Sequence, residues 1–225
     1  MAILLAAATL AASAASGADS KPGGTLHFLA LGDSYTIGES VTPEARWPVV
    51  LAAQLRQAGL DVAEPDIVAR TGLTTDELDA RIEMTELRSK YELVTLLIGV
   101  NNQFRGRPLD EYRKQFRKLL HEACRFAGGH ASRVIVVSIP DWGVTPFAAN
   151  RDRAAIAAGI DAFNAINRDE AKRVNAHWVD VTPISRQAAI DPKLVADDGL
   201  HPSASMYRLW VEQILPVARA ALRGN

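Results

Sequence analysis

Apolar residues fall in short unbroken runs and in longer periodic stretches, and the two kinds alternate along the chain. Residues 26–31 form an apolar run ended by Gly32, which predicts a buried strand. Trp47, Val50, Leu51 and Leu55 recur at helical spacing, and Gly59 supplies a stop. A second strand is expected to end near Val68 and Ala69. Thr74 with Glu77 three positions on then makes a capping box for a helix through Leu78 and Ile82. Residues 93–98 (LVTLLI) and 134–139 (VIVVSI) are too apolar for strands with one solvated face. Between them, residues 109–126 are amphipathic, with Tyr112, Phe116, Leu119, Leu120 and Ala123 opposite Arg113, Lys114, Arg117 and Lys118. A long helix over roughly 151–174, a short strand over 178–181 and a final helix over 203–222 complete the pattern.

Strands alternating with helices predict an α/β fold, a three-layer αβα sandwich around a central, mostly parallel five-stranded sheet. Neither an internal repeat nor a second domain shows in the pattern, so residues 25–225 are expected to form one folded unit.

Composition narrows the function classes. The chain has 225 residues, 48% hydrophobic and 23% charged, an ordinary globular balance. A net charge of -1 offers no electrostatic footprint for nucleic acid or an anionic membrane. The basic face of 109–126 therefore reads as a solvated face. The single cysteine, Cys124, excludes an intramolecular disulfide and a thiolate-built metal site, and its place in a helical pattern reads as a small buried hydrophobe. Residues 1–16 are apolar or small and carry no charge, resembling the core of a secretory signal that lacks the usual positive start. With the polar Gly/Pro linker after it, 1–24 is expected to be a leader for export to the periplasm or beyond. The run is too short for a stable membrane span.

In covered parallel sheets, ligands bind at the carboxyl ends of the strands, so the residues after each strand are the candidates. Gly32-Asp33-Ser34 follows the first strand on a sharp turn, which lifts a serine hydroxyl towards backbone N–H groups; a serine there also suits a helix N-cap. Gly72 follows the second strand and offers an unobstructed N–H, or simply a tight turn. Asn101 follows the third, as an amide donor able to hold an oxyanion or as a turn residue. Near the end, Asp198 stands three residues before His201, a spacing that lets the carboxylate accept from Nδ1 and leaves Nε2 for a serine. Asp197 is the nearer rival for that acid. The segment 141–147 follows the fourth strand, and its Trp142 and Phe147 either line an acyl pocket or pack in the core; Phe104 extends from the asparagine block towards the opposite rim. Arg105 or Arg107 offers a place for an anionic group, or is an ordinary surface arginine without one.

Taken together, Gly32-Asp33-Ser34, Gly72, Asn101 and Asp198-x-x-His201 resemble the four blocks of the SGNH hydrolase superfamily, also called the GDSL lipase/esterase family. The resemblance runs from Leu29 to His201, in the family's order. It implies a flavodoxin-like sandwich and a serine ester hydrolase acting on short to medium acyl chains. Ser34 is then the nucleophile, His201 the base and Asp198 its orienting acid. The Ser34 and Gly72 N–H groups and the Asn101 amide form the oxyanion hole, with no cofactor or metal. Asn102 stands where the family usually has aspartate, which implies an altered supporting hydrogen bond; Asp33 is expected to brace. The substrate is expected to be a small-molecule or glycan ester. A carbohydrate O-acetylesterase, a lysophospholipase or thioesterase, and an acyltransferase share the scaffold, and a non-catalytic binding module is the alternative from another class.

Overall fold

The computed structural model describes residues 24–223, so the expected leader lies outside the described residues, apart from Gly24. Five strands form the centre: β1 (Phe28–Gly32), β2 (Asp66–Ala69), β3 (Leu93–Leu97), β4 (Val134–Val137) and β5 (His177–Val179). They pair in the order β2-β1-β3-β4-β5, and every pairing is parallel. The helices are α1 (Ser34–Ile37), α2 (Trp47–Gln57), α3 (Thr75–Glu83), α4 (Val100–Phe104), α5 (Leu109–Phe126), α6 (Arg153–Val174), α7 (Thr182–Arg186) and α8 (Ala204–Arg223).

Parallel neighbours need crossovers, and a right-handed crossover that moves the opposite way along the sheet lands on the opposite face. α2, which connects β1 to β2, accordingly packs with the returning α8, whereas α5 packs with both α3 and α6. Both faces of β1, β3 and β4 are thereby sealed, and every residue in those strands is buried. That burial is why their sequences run apolar without alternation.

The basic face of α5 is solvent-exposed at Lys114, Arg117 and Lys118, and Arg113 and Arg117 in addition converge on Glu170 of α6, at 2.6 and 2.9 Å. The Glu170 side chain is only 2% exposed, so the pair joins two helices across their seam. Cys124 is half-buried at the edge of the core, where burial pushes its thiol up. Among the described residues no helix is long and apolar enough to cross a membrane.

Candidate active site

The strand order reverses between β1 and β3, because β1 connects outward to β2 while β3 continues the other way. Loops leaving the carboxyl ends of β1 and β3 diverge there and open a crevice. Ser34 sits on one side of it, as the first residue of α1, and Asn101 on the other, in α4. Asp33 caps α1, its Oδ1 accepting from the Tyr35 N–H at 3.1 Å. The carboxyl is fully buried, its Oδ2 has no partner among the described residues, and burial pushes its pKa up to about 7 despite the N–H it accepts. The Ser34 N–H and hydroxyl make no hydrogen bond among the described residues, which leaves both for a ligand.

The His201 loop closes on itself, with the Ala196 N–H donating to the His201 carbonyl at 2.8 Å. His201 Nδ1 lies 2.6 Å from Asp198 Oδ2, and Asp198 Oδ1 accepts from the Leu200 and His201 N–H groups, both at 2.9 Å. Ser40 Oγ adds a fourth bond, to Oδ2, at 2.7 Å. Burial pushes the Asp198 carboxyl up, but these bonds outweigh it and hold the group well below the usual carboxylate range. An ionised Asp198 accepts only, so the proton on Nδ1 is fixed and Nε2 is left as the acceptor. The Tyr35 ring meets the imidazole edge-on at 5.5 Å and limits its rotation. Asp197 has no such bond among the described residues and lines a different cleft.

Opposite, Gly72 turns with φ +86°, a conformation that side chains resist. Its carbonyl accepts from Arg105 Nη2 at 2.7 Å, and its N–H donates to nothing among the described residues. Asn101 Nδ2 donates to the Leu73 carbonyl at 2.9 Å, tying α4 to the same turn and leaving a second amide hydrogen. Ser34, Gly72, Asn101 and His201 line one cavity of about 130 Å³, together with Phe104, Trp142 and Phe147. A hydroxyl, a tautomer-fixed imidazole and a set of free N–H donors around one cavity can perform acyl transfer.

Residues 30–209 match the model of the GDSL-like lipase/acylhydrolase family. The chain belongs to that family. No curated protein matches it in sequence. Solved structures similar in fold include TesA, at TM-score 0.67 and 19% identity over 88% of this chain and 100% of that one. The acetylxylan esterase Axe2 from Geobacillus stearothermophilus gives TM-score 0.66 and 19% identity over 86% and 94%. The esterase EstA from Pseudoalteromonas sp. gives TM-score 0.63 and 19% identity over 89% and 99%. Identities this low establish a shared fold.

In this GDSL-family chain, Asn102 is fully buried, with Oδ1 accepting from the Thr75 N–H at 3.0 Å and Nδ2 donating to Thr75 Oγ1 at 2.8 Å. An amide here both donates and accepts, so it clamps the start of α3 to α4 where a carboxylate would only accept. Trp142 belongs to the core and the cavity at once: it is 4% exposed and its Nε1 donates to Gln103 Oε1 at 2.9 Å. Phe104 meets Trp142 edge-on at 5.4 Å, and Phe147 lies 6.1 Å from Trp142. Asp141 roots this loop, its Oδ2 accepting from Arg186 Nε at 2.9 Å and its N–H bonded to Ser185 Oγ at 2.8 Å. Neither cation first suggested for an anion is free: Arg105 pairs with Glu77 at 3.0 Å and Arg107 with Glu111 at 3.1 Å. Sequence reasoning passed over Tyr35, Ser40 and Arg186. Tyr35 had a signal in its place beside Ser34, while Ser40 and Arg186 meet their partners only through the fold. Among the described residues no group of three or more His, Cys, Asp or Glu side chains is placed to hold a metal ion.

Proposed function

We propose that this chain hydrolyses carboxylic esters through a covalent acyl-enzyme, with Ser34 as nucleophile, His201 as general base and Asp198 as the group that orients it. The observation that carries the reading is His201, its Nδ1 2.6 Å from Asp198 Oδ2, lining one cavity with Ser34. Ser34 Oγ attacks the ester carbonyl carbon as its proton passes to His201 Nε2. The carbonyl oxygen becomes an oxyanion held by the Ser34 and Gly72 N–H groups and the Asn101 amide. Collapse breaks the bond to the alcohol, which leaves with the proton from His201. Water then attacks the acyl-serine, His201 takes its proton and returns it to Ser34, and the acid is released. No step uses a metal or an organic cofactor.

The cavity supports acyl groups at the short end of the short-to-medium range, since only about 130 Å³ is open beside Ser34 and the Phe104, Trp142 and Phe147 rings line it. The same size suits acetyl groups on sugars, which keeps a carbohydrate O-acetylesterase as the second reading. The test is hydrolysis of 4-nitrophenyl esters from acetate to decanoate by the parent and by Ser34→Ala. Turnover falling by about 10³-fold or more in Ser34→Ala is expected. Equal rates in both proteins would remove Ser34 as nucleophile. A faster release of acetate from acetylated xylan than from simple esters would move the assignment to the sugar esters.

A further inference from the structure

The residues lining the catalytic cavity include no Asp, Glu, Lys or Arg, yet a cation stands at its aromatic rim. Arg151 lies just before α6, and its Cζ is 5.1 Å from the Phe104 ring centroid, 5.5 Å from that of Trp142 and 5.4 Å from that of Phe147. All three rings line the cavity. Phe104 comes from α4, whereas Trp142 and Phe147 come from the segment after β4, so one guanidinium spans both walls. Three ring contacts fix its position, and the charge is held ready before any ligand arrives.

Fixing is only half of the argument. Arg105 and Arg107 near the same site, and Arg186 below the loop, each pair with a carboxylate. Arg151 is exposed and has no carboxylate partner or side-chain hydrogen bond among the described residues. A guanidinium packed against rings keeps its N–H edge, which matches the two oxygens of a carboxylate or phosphate.

We propose that Arg151 is a specificity-determining residue that selects esters carrying an anionic group, carboxylate or phosphate, a few atoms from the scissile carbonyl. This rests on the ester-hydrolase reading above and adds the substrate class. The anion can belong to the acyl part, as in a dicarboxylic half-ester, or to the alcohol, as in an acylated hydroxy acid. A cavity this small leaves either one reaching past the rings to the rim.

The test compares kcat/KM for two matched pairs. On the acyl side they are the 4-nitrophenyl esters of glutarate and of its neutral amide, glutaramate. On the alcohol side they are 4-acetoxybenzoate and 4-acetoxybenzamide. Rates of Ser34→Ala are subtracted as background, because the glutarate ester also cleaves by itself. The parent is expected to prefer the anion by about ten-fold in one pair, as one charge-assisted contact implies. Arg151→Gln should bring that ratio close to one and Arg151→Lys should retain part of it. Added salt should shrink it. A parent ratio at or below one in both pairs overturns the proposal, as does a ratio unchanged in Arg151→Gln, because loss of ring packing alone slows both members alike. Titration of Ser34→Ala with the same pairs reads the contact without turnover, and equal affinity for both members also overturns it. A failure of the hydrolase reading looks different: the neutral esters are then cleaved no faster by the parent than by Ser34→Ala.

Discussion

Asp198 Oδ2 receives two hydrogen bonds at once, from His201 Nδ1 and from Ser40 Oγ, a residue 158 positions away. Ser40 holds the left-handed conformation, with φ 64°, to present its hydroxyl there. Its bond restrains the carboxylate that restrains the imidazole, so its effect on chemistry is indirect. Ser40→Ala removes a bond that lowers the Asp198 pKa, and the carboxyl rises towards its ordinary value of 3.8. At about 1 kcal/mol for such a bond, kcat/KM near neutral pH should fall about five-fold. An unchanged kcat/KM would deny Ser40 that role. At this scale legibility follows sequence distance. Asp198 and His201 can be paired on paper because three residues make one turn. Ser40 cannot, because its partner arrives from the other end of the chain.

Strand ends and the turns after them show where local reading holds and where it stops. The capping box at Thr74 forms as the spacing predicts, with the Thr74 N–H donating to Glu77 Oε2 at 2.9 Å. β4 stops at Val137, two residues short of its apolar run. Both backbone groups of Ile139 are taken by the Asn164 side chain, its N–H at 2.8 Å and its carbonyl at 2.9 Å, so the ladder cannot continue. The turns after β2 and β3 each need a glycine, for different reasons. At Gly72 (φ +86°) an added Cβ meets nothing nearer than Arg105 Nη2 at 3.8 Å, so the obstacle is backbone conformation alone. At Gly99 (φ +130°) the Cβ would also lie 2.5 Å from the Tyr112 hydroxyl and 2.8 Å from Ile139 Cδ1, both in the packed interior. Gly99→Ala should therefore cost about 2–5 kcal/mol in urea unfolding and Gly72→Ala about 1–2 kcal/mol. The reverse ranking would show that the turn after β3 yields. Sequence marks Gly72 as a turn residue; only the packed neighbours separate its cost from that of Gly99.

Across the whole molecule, one helical layer is joined by an ion pair that the amphipathic pattern of α5 conceals. Glu170 is lowered below its ordinary value of 4.5 chiefly by the hydrogen bonds from Arg117, with burial opposing and Arg113 adding to the effect. For a carboxylate lowered on folding, the stabilisation is complete above the unfolded value and is lost as pH falls through the folded one. Glu170→Ala leaves Arg113 only Asp169, at 3.5 Å, and leaves Arg117 without a carboxylate at the α5–α6 seam among the described residues. Their partial exposure, 33% and 48%, tempers the penalty to about 2 kcal/mol at pH 7. That gap should narrow as pH falls below the ordinary value of 4.5, towards the lower folded value at which the parent itself loses the charge. Unfolding of both proteins measured from pH 3 to 7 checks it, and a gap independent of pH would place the loss in packing instead.

The sequence by itself determined the layered α/β fold, because continuous apolar strands and one-sided helices have few ways to bury their faces. It also determined which residues stand at strand ends, because the chain must turn there. Tertiary structure alone decided what those ends meet. It reversed the strand order at β1 and β3, brought Ser34, Asn101 and His201 to one cavity, and backed the Gly72 turn with Arg105. It also placed Arg151 over the aromatic rim with no carboxylate partner among the described residues. Hydrophobic periodicity acts over a few residues and is written locally. A hydrogen bond or ion pair between distant segments depends on where the sheet delivers both, and no local pattern carries that.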